Sequence, residues 1–594
     1  MRARRQPSPR LLAAATLALC FAGQVEAGAQ PKSASNEQVR TQLTADFLLG
    51  TAALEAPIPT AAYAPSDTGA GQRFEGTLEL LPADGESGVR GRLKAIEDRF
   101  GYLQDATLRI DELPRFRFDL VQDGRHLIPM RRGPQPAAHP YWEFILEPGM
   151  TWRDAVDGDW SRAALPFTLE ERNANCTHNG LLTFLYRPDG SVSRAAWQIG
   201  SETCMYLQID LWGVAALRYT PHEIAQASAA VDAFRHEQAA RLPVRPLAAL
   251  ATDFPGTDPK DFDWFPPEEV SAVGFAIDGV DYRGPCRTRY GPYPFCEVLD
   301  LPSYSLAKSI FAGLSWMILE QESPGVGNEP VVQWVPECRS ARWQGVTLRH
   351  LLDMSSGNYE SLEADVDEFA SYETPFMGAD THAAKIGTAC TLFPRKSAPG
   401  TSFAYHTSDT YIAGTLMNAW LRQQAVADGV PARDIYSDVL VARLLRPLAL
   451  SPVMYSTRRT YDAVSQPFTG YGLTVHADDV ARLGLFLTEG TGVVNGRQVL
   501  DPKELAAALQ REPSDPGITA GKPDLRYNNG FWAYRTDLDG ACPQPLWIPF
   551  MSGYGGISVA LLPNRSVFYV FSDRGRFSWL RAAIAANRIR PLCE

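Results

Sequence analysis

Between Phe74 and about Leu217 the chain alternates apolar and polar positions in short runs such as F-E-G-T-L-E-L, A-T-L-R-I, F-R-F-D-L, G-L-L-T-F-L-Y and M-Y-L-Q-I-D-L. Period-two alternation broken by Gly, Pro and Asp turns predicts antiparallel strands with one buried face. An alanine-rich helical stretch and R-L-P-V-R-P come next, ending near Phe254-Pro255, and read as a connector. From Ser305 to about Glu320 the spacing changes. Ile310, Phe311, Leu314, Met317 and Ile318 recur at helical intervals and predict one buried helix. Towards the end, F-M-S-G-Y-G-G-I (Phe550 to Ile557) leads into S-V-A-L-L-P-N and V-F-Y-V-F, two strand-like runs joined at Pro563-Asn564.

Chemistry enters at S-Y-S-L-A-K, Ser303 to Lys308. On a helix, residues three apart share a face, so the Lys308 amine can reach the Ser305 hydroxyl, a nucleophile beside its own proton acceptor. A serine in the first turn also sits at the positive end of the helix dipole. A four-residue Ser-x-x-Lys match arises by chance in many proteins, so its weight depends on the company it keeps along the chain. P-G-T-S-F-A-Y-H-T-S-D-T-Y-I-A-G (Pro399 to Gly414) brings Tyr405, a phenol that a nearby ammonium could hold as phenolate or use as a proton relay. The glycines just inside the strand after Tyr554 would let a substrate lie directly against backbone.

Taken in order, these segments resemble the serine beta-lactamase and penicillin-binding-protein hydrolases over roughly residues 260–594, in particular the branch of class C beta-lactamases, D-alanyl-D-alanine carboxypeptidases, esterases and 6-aminohexanoate-dimer hydrolases. T-L-R-H-L-L-D-M-S-S-G (Thr347 to Gly357) and G-Y-G-L-T-V-H-A-D-D-V-A-R-L-G (Gly470 to Gly484) look like the family's non-catalytic signatures. The resemblance implies an α+β fold: a C-terminal domain with an antiparallel sheet flanked by helices, here preceded by a mainly antiparallel β domain. It implies Ser305 as nucleophile, Lys308 as its base, Tyr405 as second member of the base pair, and Thr407 in place of the family's Asn or Ser. The backbone N–H groups of Ser305 and Ile557 would form the oxyanion hole. Neither metal nor cofactor is implied. Tyr554-Gly555-Gly556 stands where the family carries Lys-Thr-Gly or His-Thr-Gly. With no cation to hold a substrate carboxylate, efficient beta-lactam turnover is not expected. The implied activity is hydrolysis of an ester or amide in a small or peptide-like substrate; the alternative is a catalytically weak fold kept as a binding or cell-envelope interaction module.

The amino terminus reads as a secretory signal over residues 1–29: Arg2, Arg4, Arg5 and Arg10 precede an apolar stretch from Leu11 to Gly23 and a small-residue site at Ala27-Gly28-Ala29. A periplasmic or secreted protein without stable membrane insertion is expected. Residues 30–70, rich in Ala, Pro, Ser and Thr, read as partly flexible, 71–225 as the β domain, 226–259 as a helical connector and 260–594 as the hydrolase domain. Eight of the nine cysteines lie beyond the leader, enough for four disulfides. Proximity favours Cys176 with Cys204 and Cys286 with Cys296; for the other four cysteines Cys338 with Cys390 and Cys542 with Cys593 is one choice among three, which the sequence does not decide. The formal charge is −12, near −15 once the leader's net +3 is discounted, which opposes nonspecific binding to nucleic acid or anionic membrane. His350 and His406 read as packing or hydrogen-bonding residues. The sequence sets no oligomeric state, and the β domain could serve as a binding module, a dimerisation surface, a lid or a structural support.

Overall fold

The alternating runs close on themselves. The computed structural model describes residues 42–66, 69–82 and 86–593, so the expected leader lies outside them. Ten strands make the first sheet: β1 (Glu75–Leu81), β2 (Arg92–Asp98), β3 (Arg117–Asp123), β4 (His126–Pro129), β5 (Trp142–Leu146), β6 (Gly149–Arg153), β7 (Ser161–Glu171), β8 (Thr177–Tyr186), β9 (Ala195–Thr203) and β10 (Leu207–Pro221). Pairing runs β1-β3-β4-β6-β7-β8-β9-β10, and β10 returns to β1 with Gly76 opposite Pro221 and Leu81 opposite Ala216. Eight antiparallel strands thus form a closed barrel, which leaves no open edge between them. β2 adds to the far end of β10 and β5 to β7. Phe74, Leu78, Leu120, Trp142, Leu165, Phe184 and Trp197 fill the interior.

Strands β7, β8 and β9 are buried along their whole length. One face fills the barrel and the other is covered by the rest of the chain: Ala164, Leu181, Leu185 and Ala196 belong to the same core as Leu306, Phe311 and Trp316. Residues 42–66, expected to be partly flexible, are pinned here, because Leu43, Leu48, Leu54, Ile58 and Tyr63 are all buried against that junction.

After a helix α1 (Ala227–Ala240) the chain builds a second sheet from β11 (Val244–Pro246), β12 (Val270–Ile277), β13 (Val280–Arg283), β14 (Ile518–Thr519), β15 (Leu525–Asn528), β16 (Phe531–Thr536), β17 (Leu546–Gly553), β18 (Ile557–Leu562) and β19 (Ser566–Ser572). Its order is β11-β13-β12-β19-β18-β17-β16-β15-β14. Only β11 with β13 is parallel. The expected joint at Pro563-Asn564 is the β18–β19 turn. Helices α2 (Leu314–Glu322) and α3 (Thr407–Asp428) pack among the other helical segments, while α4 (Ala477–Glu489) and α5 (Leu580–Ile589) pack against this sheet. The four expected cysteine pairs are formed, with Cα separations of 5.0, 5.6, 5.0 and 5.8 Å.

Ion pairs cross the junction between barrel and second unit. Arg458, 1 % exposed, pairs with Glu143 and lies 3.2 Å from Glu170. Arg289 donates to Glu202 and Asp210. Arg132 pairs with Glu147, which approaches His476 and through it Asp300. These last three residues bring their ligand atoms within 4.8 Å of one another, and Glu147 among them is already paired with the Arg132 guanidinium, which also reaches Glu237.

Removing one partner of a buried ion pair strands the other charge, at a cost of about 3–5 kcal/mol. Burial lifts the Glu170 carboxyl to about 7 while Arg458 pulls it down. A raised folded pKa gives stability that is lost as pH rises through that value. Arg458→Ala, which raises it further, is therefore expected to lower the thermal midpoint by several degrees, more at pH 8 than at pH 5.5. Calorimetry at both pH values checks this; an equal or reversed deficit would contradict it.

Candidate active site

Leu301-Pro302 pairs antiparallel with Thr474-Val475, and the chain then turns sharply through Ser303 and Tyr304 into the buried helix. Tyr304 adopts φ 41°, a left-handed conformation that costs a non-glycine residue roughly 1–3 kcal/mol. The helix begins with a wide π turn, Lys308–Gly313, before α2, a form found mostly as single turns at functional sites. The expected apolar stripe is in place, with Ile310, Phe311, Leu314, Met317 and Ile318 each at most 1 % exposed.

Lys308 is buried beneath Ser305. Its Nζ lies 2.9 Å from Ser305 Oγ, 2.7 Å from Thr407 Oγ1 and 3.4 Å from the Gly470 carbonyl oxygen. Burial lowers the amine's pKa to about 8, against the opposing influence of Glu368 and Glu373. A neutral amine has two N–H groups and one lone pair. Thr407 Oγ1 and the Gly470 carbonyl accept the two protons, which leaves the lone pair facing the Ser305 hydroxyl. The Gly470 carbonyl reaches this position because residue 470 has no side chain: a Cβ there would come within 2.4 Å of Thr410 Oγ1.

Thr407 opens α3, and Glu368 caps it. The Thr407 N–H donates to Glu368 Oε2 at 2.7 Å, and its hydroxyl donates to Glu368 Oε1. Because the threonine proton points at Glu368, its oxygen must accept from Lys308. No sequence motif marks this glutamate, which sits in the acidic run E-A-D-V-D-E. Next to it, His406 bonds Asp367 at 3.1 Å and stacks on Phe393 at 3.9 Å. Burial opposes its charge, but Asp367, Asp409 and Glu373 win and raise it to about 9. His406 thus ties the 359–380 loop to α3 as a cation.

Tyr405 presents its ring to the amine, with Nζ 4.6 Å from the ring centroid. Phe403, Tyr527 and Trp532 enclose that ring. Burial, Tyr527 and Glu368 push the phenol well above its usual range although contact with Ser305 pulls it down. It is therefore a protonated donor beside Ser305, not the phenolate that a neighbouring ammonium alone would favour. The backbone entering Tyr405 is held by the Thr347–Gly357 segment: Ala404 N–H donates to the Met354 carbonyl and His406 N–H to the Met354 sulfur.

Tyr554, Gly555 and Gly556 lie in the turn between β17 and β18, ahead of the strand rather than inside it. Gly556 serves protein packing, since a Cβ there would meet the Arg576 backbone nitrogen at 2.6 Å. Tyr554 packs between Tyr304, Phe369 and Tyr206 at ring distances of 5.6, 5.6 and 6.3 Å. Nearby cations have partners: Arg576 pairs with Glu269, Arg574 with Gln208 and Glu97, and Arg99, whose charge acts on the Tyr554 phenol, lies 3.7 Å from Glu97. Arg342 and Arg349 also point away, to the Phe393 carbonyl and to Glu504. Gly553, paired with Ile557, lies so close to the nucleophile turn that a Cβ would be 2.7 Å from the Ser303 carbonyl oxygen. A cleft of about 570 Å³ at the barrel rim, lined by His139, Tyr141, Arg172 and Asp380 among others, includes none of Ser305, Lys308 and Tyr405.

Residues 301–577 match the family model described as Beta-lactamase. No curated protein matches. Among solved structures, one described as a putative 6-aminohexanoate-dimer hydrolase from Bacillus anthracis is 17 % identical with a TM-score of 0.40, covering 58 % of this chain and 80 % of its own. A penicillin-binding-protein homologue from Caulobacter crescentus is 17 % identical, with a TM-score of 0.37 and coverages of 60 % and 98 %. EstCE1, described as a hydrolase with promiscuous acyltransferase activity, is 18 % identical, with a TM-score of 0.39 and coverages of 60 % and 100 %.

With the amine titrating near 8, the rate at which a fluorophosphonate labels Ser305 is expected to rise with pH and level off above that value. The Glu368 charge holds the Lys308 pKa up, so Glu368→Gln should move the inflection to lower pH. Labelling rates across the mildly acidic to alkaline range test this; an inflection unmoved by the substitution would show that Glu368 does not act on the amine.

Proposed function

We propose that this chain, a member of the serine beta-lactamase and penicillin-binding-protein family through residues 301–577, is an exported serine hydrolase that cleaves an ester or amide through an acyl-enzyme on Ser305. One observation carries the reading: the buried Lys308 Nζ lies 2.9 Å from Ser305 Oγ and has Thr407 Oγ1 and the Gly470 carbonyl as acceptors for two N–H groups, so that the neutral amine would turn its lone pair to Ser305.

In the first half-reaction Ser305 Oγ attacks the substrate carbonyl carbon and Lys308 takes the hydroxyl proton. The backbone N–H groups of Ser305 and Ile557 are assigned to the oxyanion, an assignment supported by the approach of the β17–β18 hairpin to the Ser303 carbonyl. Tyr405, a protonated phenol beside Ser305, delivers a proton to the leaving alkoxide or amine and recovers one from Lys308. Water then attacks the acyl carbon and gives a proton to the same pair; the C–O bond to Ser305 breaks to release the acid, and the pair returns that proton to the Ser305 oxygen.

The substrate is read as one without a carboxylate beside its scissile carbonyl. Tyr554 offers an aromatic face where a cation would be needed, and the arginines around it already have partners. A carboxylate desolvated there without a counter-charge would cost several kcal/mol. Export to the periplasm or medium is supported by four disulfides, which persist in oxidising compartments.

Ser305→Ala is expected to abolish both p-nitrophenyl ester hydrolysis and fluorophosphonate labelling, with the thermal midpoint nearly unchanged. Lys308→Arg should lose most of the turnover, because guanidinium stays protonated and cannot accept the Ser305 proton. Steady-state rates and intact-mass measurement decide the matter. Native protein that stays unlabelled, or a Ser305→Ala variant as fast as native, would favour the binding-module alternative or a different nucleophile.

A further inference from the structure

The loop between β7 and β8 leaves the barrel and enters the nucleophile turn. At its end sits Asn175, fully buried. Its Oδ1 accepts from three donors: the Tyr304 backbone N–H at 2.8 Å, the Ser303 hydroxyl at 3.0 Å and the Gly472 backbone N–H at 3.1 Å. Its Nδ2 donates to Glu170 Oε1 at 2.7 Å and to the Leu473 carbonyl at 3.2 Å. Three donors on one side and two acceptors on the other fix the amide's orientation without ambiguity. Two more contacts anchor the loop: the Cys176–Cys204 disulfide ties it to the β9–β10 connection, and the Tyr304 hydroxyl lies 3.2 Å from Cys176 Sγ.

We propose that Asn175 is a positioning residue for catalysis, which makes the barrel part of the catalytic unit and not an appended module. The proposal presupposes Ser305 as the nucleophile. Tyr304 is the strained residue that aims Ser305, and its N–H has its partner in Asn175. Gly472 and Leu473 lie two and three residues beyond Gly470, whose carbonyl meets the Lys308 amine. One side chain therefore joins the turn that leads to the nucleophile with the segment that leads back from the acceptor for its base, beyond the point where the Ser303 N–H to Leu473 carbonyl bond ends the direct pairing of the two strands. The Ser303 hydroxyl belongs to the same link: it accepts from the Leu473 N–H and has Asn175 Oδ1 and the Tyr304 carbonyl as acceptors. A displacement of about 1 Å in such a site can cost 10²-fold in rate.

Whole-chain Asn175→Ala, Asn175→Asp, Ser303→Ala and Ser305→Ala variants test this, each with p-nitrophenyl acetate (kcat and KM), a fluorophosphonate labelling rate and a thermal midpoint. Asn175→Ala is expected to lower kcat and the labelling rate by about 10²-fold with KM within about twofold, the signature of misplaced reacting groups and not of lost binding. Asn175→Asp keeps the accepting oxygen. At pH 6, where Glu170, lifted to about 7 by burial, is mostly protonated and can donate to the new carboxylate, it should return to within about tenfold of native. Ser303→Ala removes one of the three donors and should slow labelling by about tenfold, which keeps the proposal open to refutation if Asn175→Ala does not fold. A folded Asn175→Ala with native kcat, equal losses in the alanine and aspartate variants, or a native labelling rate in Ser303→Ala would overturn it. An active Ser305→Ala would instead overturn the nucleophile on which it rests.

Discussion

A primary amine taken out of water and held 2.9 Å from a hydroxyl is the constraint around which the site is built. Desolvation disfavours the ammonium and brings Lys308 to about 8, within reach of neutrality at moderate pH. The same burial obliges the fold to supply partners for its two remaining N–H groups, and it draws them from distant parts of the chain: a hydroxyl from the first turn of α3 and a carbonyl from residue 470. Glu368 works against full neutrality while orienting Thr407, so the amine is kept basic enough to take a proton and neutral often enough to do so. That balance is the usual requirement for a general base near its working pH.

Holding two strands and a helix at that spacing needs rigidity from outside them, and the barrel provides it. Its strands β7 to β9 are buried on both faces, so the barrel shares a core with the second unit. Around that apolar contact lie Arg458 between Glu143 and Glu170, and Arg289 between Glu202 and Asp210. Buried charges of this kind contribute little net stability, but they tolerate only one relative placement of their partners. Asn175 extends that fixed placement to the residue before Ser305.

An aromatic cluster lies beside the Ser303–Tyr304 turn. Tyr554 is wedged among Tyr304, Phe369 and Tyr206, rings from three separate regions, and Tyr206 comes from the barrel. Phe369 remains about half exposed and comes directly after Glu368. The surroundings of Tyr554 are thus largely aromatic, with the charge of Arg99 acting on its phenol.

Much of this was legible in the chain. Ser305, Lys308 and the apolar stripe behind them are local, three or four residues apart, so helical geometry alone joins them. Alternation pointed to several strands of the barrel, since period two is a property of each strand by itself, although A-T-L-R-I forms a 3-10 turn at Ala106–Leu108, and cysteine proximity suggested two of the four pairs that form. Closure of the barrel was not legible, because β1 and β10 meet only after more than a hundred residues have been arranged between them. Nor were Glu368 and Asn175. An acidic loop and a short N-A-N-C turn carry no periodicity, and their meaning comes from partners 39 and 128 or more residues away. The protonated state of Tyr405 was likewise decided by tertiary structure, because burial among Phe403, Tyr527 and Trp532 outweighs the pull of its contact with Ser305. Sequence determined which reactive groups lie within one helical turn of each other; only the packed chain decided how deeply they are buried, and burial sets their charge and therefore their chemistry.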